Sequence, residues 1–481
     1  MKLIKPFFFL SFFAIFIFSS CKKDVLLTDS SAKLNFSADE VLFDTVFTTV
    51  GSTTRIFRIK NPHTQTINIS RAFLAGGNNS QFRINIDGVS GISFNDIEIL
   101  GGDSLFVFVQ VTVNPTGTNS PLLIKDSVVF ETNGNTQHVR LTAIGQDVYL
   151  HKPDHFSTTG FPPYSIITCN DIWTNDKPHL IFGYAVVDEN CSLTMMPGTR
   201  VYLNNNAVLW VYDGGTLIVN GSQLEKVTFQ GARLEPDYKE VPGQWGKIWL
   251  SAGSKNNVID WAVIKNGSIG VQADTLGLSA NPTLQISNTI IKNMSAAAIY
   301  GQGSFIRGYN CVFANCGQYT AAFTIGGKYK FEQCTFANYW SGSSQRTTPL
   351  LALSNYYVDN TGTTQIRDLD SAYFGNCIMY GNLDEEVGLD SSTFGGNFNY
   401  KFDHCLVKTL LNTNSSVHYN SVYQNYDPGF VDTGVNNYKL TASSFAIDKG
   451  DTGIFIAFDL NGQPRPNPNT SIPDLGAYEF Y

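Results

Sequence analysis

Four short stretches carry residue types that could do chemistry. LEPDYKEVPGQW (234–245) sets Glu235, Asp237, Tyr238, Glu240 and Trp245 in a polar excursion between apolar strands, which suits the lip of a binding groove. LDEEVGLD (383–390) brings Asp384, Glu385, Glu386 and Asp390 together. Such acids could hold Ca2+ or supply the carboxylate pair that glycoside hydrolysis needs, although acids between apolar segments read first as a solvated loop. FDLNG (458–462) places Asp459 and Asn461 at calcium-loop spacing but lacks the later carboxylates of such a loop, so a tight turn is the better reading. NCVFANCG (310–317) puts Cys311 and Cys316 five positions apart with no histidine nearby, a poor metal spacing. The seven histidines form no ligand-spaced pair, and GGKYK (326–330) lacks P-loop spacing. No catalytic residue and no metal ligand is therefore assigned. Glu235, Asp237, Tyr238, Trp245, Asp384, Glu385 and Glu386 stand as the candidate ligand-binding residues. No cofactor is expected, Ca2+ being the one ion the acids could hold.

The chain must position these groups with strands. Charged residues are 15% of its 481 positions and aromatics 13%, with abundant Gly, Asn, Ser and Thr. That mix favours short strands and turns over helices. The formal charge is −8 without any Lys/Arg-rich stripe. Nucleic-acid binding, which needs such a stripe to displace counterions, is excluded as an expectation.

The first residues bear on compartment. MKLIKPFFFLSFFAIFIFSSC has two lysines, then an apolar run from Phe7 to Phe18, then Ser19, Ser20 and Cys21. The run is too short for a bilayer span and fits a signal-peptide core. Small residues before a cysteine resemble the cleavage box of bacterial lipoproteins, although Phe18 stands where that box usually has Leu. The resemblance implies that residues 1–20 are removed and that Cys21 is lipidated. Cleavage takes away Lys2 and Lys5 and no acid, leaving 30 basic against 40 acidic residues. Residues 21–32 read as a flexible tether. With no second apolar segment, the expected mature body has no transmembrane span and is an outer-membrane lipoprotein, surface-exposed on a bacterial envelope.

Residues 33–148 alternate with period two in TRIFRIKN, TINIS, FRINI, LFVFVQVTV, SVVFETN and HVRLTAIG, separated by Asn-Pro, Gly-Gly and Asn-Gly turns. This predicts an antiparallel β-sandwich. The order resembles immunoglobulin-like domains of the abnormal-spindle/hydin type, which imply no catalytic residue. The Arg-Ile-Lys triplet at 58–60 is like a basic triplet of some pectin-degrading enzymes. Here it sits in a strand that sends Ile56 and Arg58 to one face and Phe57 and Ile59 to the other.

After a linker and cap at 149–180, a unit recurs as LQISNTIIKNMS, FIRGYNCVFANCG, YKFEQCTFANYW, AYFGNCIMYGNL and KFDHCLVKTL. Trp261, Thr289, Cys311, Cys334, Cys377 and Cys405 mark it at spacings near 22 to 28 residues, with one gap of 43. Such a period predicts coils of a parallel β-helix over 181–440, and the long gap fits either two coils or one coil with an inserted loop. Asn266, Asn293, Asn315, Asn338 and Asn382 recur four or five positions later and are expected at a left-handed turn. The four marker cysteines are expected to form a buried ladder, with Cys316 outside it at the following turn.

These coils resemble the right-handed β-helix, or pectin-lyase-like, superfamily. SSFAIDKGD, FDLNGQPRP and IPDLGAYEF in 441–481 are similar to the terminal segment of choice-of-anchor Q proteins, which implies a closing segment for the β-helix. The superfamily includes lyases and polygalacturonases, but the chain has no Gly-His-Gly segment and no Arg-Ile-Lys within the coils. Trp210, Tyr212, Trp245, Trp249, Trp261, Tyr339 and Trp340 lie in or beside the coils, where exposed rings could stack on sugars.

The expected protein is thus all-β, a sandwich followed by a right-handed parallel β-helix. Its expected function is that of a non-catalytic surface lipoprotein presenting a β-helix face to a polysaccharide or a surface protein. The alternative is a carbohydrate-active enzyme, a polysaccharide lyase or glycoside hydrolase.

Overall fold

The computed structural model describes residues 25–481 except 116, 118–120, 159, 275–280 and 343. Cys21 and the leader lie outside the described residues. The chain divides into two compact units, Met1–Asp147 and Val148–Tyr481.

The first unit packs two five-stranded sheets around one apolar core. One sheet runs Asn35–Phe36, Arg55–Lys60, Ser104–Val111, Phe82–Ile86, Val89–Gly91, and the other Glu40–Phe47, Asn135–Gln146, Leu122–Thr132, Ile67–Leu74, Ser93–Ile99. Period two fixes which side chains enter the core: Phe57 and Ile59 are sealed while Ile56 is exposed. The pairing is antiparallel with one exception, because Glu40–Phe47 lies parallel to Asn135–Gln146. Two strands lacked a clear signal. Ser93–Ile99 is a largely exposed edge strand with Asp96 at φ 54°, so its alternation is broken. In Glu40–Phe47 the inward set shifts at a bulge facing Thr142–Ile144.

The second unit is a right-handed parallel β-helix. Each coil contributes one strand to each of three parallel sheets, of eleven, nine and ten strands. The first sheet runs from Tyr149–His151 to Tyr423–Gln424, the second from Tyr164–Ile166 to Val387–Asp390, and the third from Asp171–Trp173 to Tyr419–Asn420. Inward side chains stack into one core that includes Ile264, Ile291, Phe313, Phe336 and Met379. No single coil could bury this surface alone, so stacking supplies the stability.

The markers fall in register. Thr335 pairs with Val312 and Ile378, and Ile378 with Leu406, which aligns Cys311, Cys334, Cys377 and Cys405. All four are fully buried, and each thiol donates to a backbone carbonyl of its neighbourhood. Cys316 is not in a turn. It ends the strand Val312–Cys316, opposite Met294, and is as buried as the others. The 43-residue gap is one coil, since Thr335 pairs directly with Ile378; its extra length forms a small hairpin, Tyr356–Val358 with Thr364–Ile366.

The asparagine expectation holds for three of five positions. Asn266, Asn293 and Asn315 have positive φ and share a register, whereas Asn338 does not adopt φ > 0 and Gly381 takes the rung expected for Asn382. A second left-handed ladder precedes the cysteines: Trp261, Asn288, Asn310, Gln333, Asn376 and His404, at φ 47–58°. Trp261 belongs to this ladder, one residue off the marker register, because Ala262 is the partner of Thr289.

A disulfide joins Cys169 to Cys191, 22 residues on and one coil further. The residues from Phe430 onward lie along the outer surface of the first long sheet. Tyr438, Leu460 and Ala477 pack on its outward Val312, Ala314 and Ala337, and Leu440, Ala446 and Leu475 on Ile378 and Leu406.

Candidate binding face

The predicted site residues fall into two places, neither of which assembles an acid–base pair. In the 234–245 excursion a short 3-10 turn, Pro236–Tyr238, follows Glu235. Glu235 pairs with Arg233 at 3.0 Å, and the Arg233 guanidinium lies 3.8 Å over the Tyr238 ring. Asp237 is exposed. Tyr238 lines a cavity of about 310 Å3 with Arg233, Lys239, Lys265 and Asn266. Glu240 bridges Lys292 at 3.0 Å and Lys265 at 3.4 Å. Trp245 is not a surface ring. It is fully buried in the coil core, its indole N–H donates to Lys265 O at 2.9 Å, and Gly267 clears room for it, since a Cβ there would sit 2.7 Å from the ring.

In the second stretch Glu386 is likewise an interior group. It forms a forked pair with Arg346 at 2.6 and 2.7 Å and accepts the Leu350 and Leu383 N–H groups. A carboxylate this buried needs that fork, because its desolvation would otherwise cost several kcal/mol. Glu385 accepts from Val387, Thr409 and Leu410. Asp384 and Asp390 remain on the surface, the latter accepting from the Tyr356 hydroxyl at 2.9 Å. Asp459 is buried too and caps its turn through Asn461 and Gln463 N–H, both at 2.8 Å.

Among the described residues, Asp403, His404 and Asp451 form the one group whose ligand atoms approach within 4.8 Å. Internal hydrogen bonds already hold it: Asp403 takes His404 Nδ1 at 2.9 Å and Asn420 Nδ2 at 2.7 Å, and Asp451 takes Gly453 N–H at 2.9 Å.

The arrangement best suited to a ligand lies on the outward face of the second long sheet. Inward residues of its early strands, Leu209, Val211, Ile248 and Leu250, fill the core; the outward set is Tyr184, Val186, Trp210, Lys247 and Trp249. Trp210 and Trp249 stack at 4.9 Å and 12°, because register places them on neighbouring strands. Phe161 stacks on Trp210 at 5.5 Å. Lys247 donates to Gln272, Gln272 to Asp274, and Trp249 Nε1 to Asp274. Trp210 differs. It is 6% exposed, yet its Nε1 has no hydrogen-bond partner among the described residues. Beside it opens a cavity of about 360 Å3 lined by Phe161, Tyr164, Asp188, Trp210 and Tyr212. A buried donor left unsatisfied costs free energy that an incoming acceptor would recover.

Of the seven aromatics read from sequence, Trp210, Tyr212 and Trp249 belong here. Trp245 is core, Trp261 and Tyr339 pack beneath the C-terminal segment, and the Trp340 indole N–H donates to Ser344 O at 2.8 Å. Phe161 and Tyr164 were missed because they lie in the linker-like stretch, whose only signal was its aromatic content.

The match to known proteins follows the coils. The family model described as "Right handed beta helix region" matches residues 183–336, well under half of the chain. No curated protein matches. Among solved structures, the periplasmic chaperone SfaE is 12% identical, covering 24% of this chain and 58% of its own at a TM-score of 0.18. The chain thus spans little more than half the length of that relative. The catalytic unit of a GH87 alpha-1,3-glucanase from Streptomyces thermodiastaticus strain HF3-3 is 9% identical, covering 76% and 72% at 0.28. A family 123 glycoside hydrolase from Clostridium perfringens is 4% identical, covering 25% and 30% at 0.18. Likenesses this distant assign no function. The class is the right-handed β-helix.

Proposed function

We propose that this chain is a non-catalytic lipoprotein of the bacterial outer surface, held by Cys21, whose β-helix presents the bare aromatic face to a glycan. The observation that carries the reading is the Phe161–Trp210–Trp249 stack with its unpartnered indole N–H beside an open cavity. Flat aromatic faces match the C–H faces of sugar rings, and a stranded N–H matches a sugar oxygen. Export agrees with the Cys169–Cys191 disulfide, because such bonds persist in oxidising compartments. The abnormal-spindle/hydin-type sandwich and the choice-of-anchor Q-like tail belong to the same reading.

A glycan array with the chain from residue 22 tests it. Trp249→Ala should weaken any bound glycan by roughly tenfold or more, in line with the loss of a stacked ring at an interface hot spot. Binding that is indifferent to Trp249 overturns the site, and release of new sugar ends from the bound glycan overturns the non-catalytic reading.

A further inference from the structure

The two sheets of the sandwich carry opposite electrostatic characters. In the sheet built from Asn35–Phe36, Arg55–Lys60, Ser104–Val111, Phe82–Ile86 and Val89–Gly91, no strand contains Asp or Glu, while Arg58, Lys60 and Arg83 are exposed cations and Arg55 lies in the inward register of Phe57 and Ile59. The other sheet holds Glu40, Asp44, Asp96, Glu98, Asp126 and Glu131 against Arg71, Lys125 and Arg140. Strands without an acid are notable in a chain of net charge −8, although Asp87 and Asp103 are exposed in the turns beside them. The same face exposes large apolar side chains. Ile56 is 55%, Phe106 52% and Phe108 37% exposed, and register sets Ile56 opposite Phe108 and Arg58 opposite Phe106. Arg83 and Phe108 line a cavity of about 490 Å3 there, large enough for a small polar headgroup.

We propose that this basic, aromatic sheet face lies on an anionic lipid surface. Charge complementarity points to the occupant, since cations beside an anionic leaflet are each attracted to it and apolar side chains next to them enter the headgroup boundary. Chain length points the same way, and this part rests on the lipidation of Cys21 proposed above. The body begins at Leu27, whose N–H donates to Thr66 O at 2.8 Å and whose carbonyl accepts from Asn133 at 3.0 Å. Six peptide steps from Cys21 reach at most about 20 Å, so a lipidated chain keeps the sandwich against the bilayer. The junction adjoins the loop that ends Arg55–Lys60, where the Asn61 amide holds Gln65 O at 2.8 Å. The tether therefore meets the body at Thr66 and Asn133, where that loop enters Ile67–Leu74 of the other sheet, at an end of the sandwich that both sheets share.

Both apolar cores are built from Leu27 onward, so the chain from residue 22 folds without leader or lipid and can be tested directly. Co-sedimentation with phosphatidylcholine vesicles, with and without phosphatidylglycerol, should show binding to the anionic vesicles alone, weakening as salt rises. The pair Arg58→Glu and Lys60→Glu should reduce it by roughly 30-fold or more, Phe106→Ser by less, and Lys125→Glu on the other sheet not at all. A circular dichroism spectrum shared with the parent excludes misfolding. Equal binding to neutral and anionic vesicles, or indifference to the Arg58 and Lys60 reversals, overturns the inference, as does capture of a protein by this face without vesicle binding. Membrane fractionation of Cys21→Ser in the full chain reports separately on the anchor. Vesicle binding by the unlipidated chain stands whether or not that anchor fails.

Discussion

Two of the three outward sheet faces of the β-helix are made by the same repeat and finished in opposite ways. On the first long sheet, outward Val312, Ala314, Ala337, Ile378 and Leu406 are small or aliphatic, and the chain's own C-terminal segment covers them. On the second, the outward positions of the early coils carry Trp210 and Trp249, approached by Phe161, Tyr184, Tyr212 and Lys247 and not covered by the C-terminal segment. The covered face also pairs most of its buried polar groups, with Asp448 Oδ1 excepted. Arg465 reaches Glu479 at 3.3 Å, Asn310 Oδ1 at 2.9 Å and Gly476 O at 3.2 Å. Glu479 accepts Asn467 and Asp474 N–H, and Asp474 accepts Asp448 and Phe480 N–H. On the bare face the Trp210 indole N–H has no partner among the described residues. The covered face ties its arginine and acids into one network, whereas the bare face leaves this donor beside an open cavity.

The largest effect should come from breaking the covered face. Arg465→Ala would leave Glu479 buried without its cation, and removing one partner of such a pair costs about 3–5 kcal/mol. Chemical denaturation should show a loss of that size, and proteolysis should enter between 441 and 481 first. A loss under about 1 kcal/mol would mean that the segment is not held by this network. Trp210→Phe on the bare face should sharpen the contrast. It keeps an aromatic ring in the stack and removes the unpaired N–H together with two ring carbons, so a modest packing loss is offset by relief of the unpaired donor and stability should fall by no more than about 1.5 kcal/mol, while glycan affinity falls. A larger destabilisation would show that the indole is held as part of the fold.

Much of this organisation was legible from residues alone. Coil period, inward alternation and the cysteine register depend on local side-chain pattern, which stacking repeats print into the sequence. The Arg465, Asp474 and Glu479 motifs marked a closing segment, but pattern could not show that it would lie along a flank and turn outward Ala314 and Ala337 into core. Trp245 and Glu386 misled for a related reason. Both are surface-type residues by composition, yet Trp245 fills a space that Gly267 vacates and Glu386 meets Arg346 from 40 positions away. Such pairings are set by the stacking of distant segments. The Cys169–Cys191 bond was also hidden, because the two cysteines become neighbours only once the coil closes.

The smallest effect, and the finest comparison, is the response to acid. The entry of the β-helix is capped by His151 and His179, whose rings meet at Nε2···Nδ1 3.0 Å beside Trp173. Burial pushes them down to about 4 and about 3, with Asp171 opposing the shift at His151. A free imidazole takes its proton near pH 6.5, so below that pH the unfolded chain binds protons that the folded cap refuses. The cap's stability is full above pH 6.5 and falls as pH drops towards 4 and 3. Under the C-terminal segment, burial lifts Asp474 to about 6, with Glu479 and Asp448 adding repulsion and the Phe480 and Asp448 N–H groups opposing. Its folded carboxyl keeps a proton that the unfolded chain releases near 3.8, so this segment gains stability as pH falls from about 6 towards 4 and loses it on the way up. Between pH 6 and pH 4 the two regions should therefore move in opposite directions. Hydrogen-exchange protection factors should fall for the amides of Tyr149–His151 and His179–Ile181 and rise for those of 446–480. Movement of both in the same direction would show that one of the two buried clusters does not titrate as its surroundings dictate.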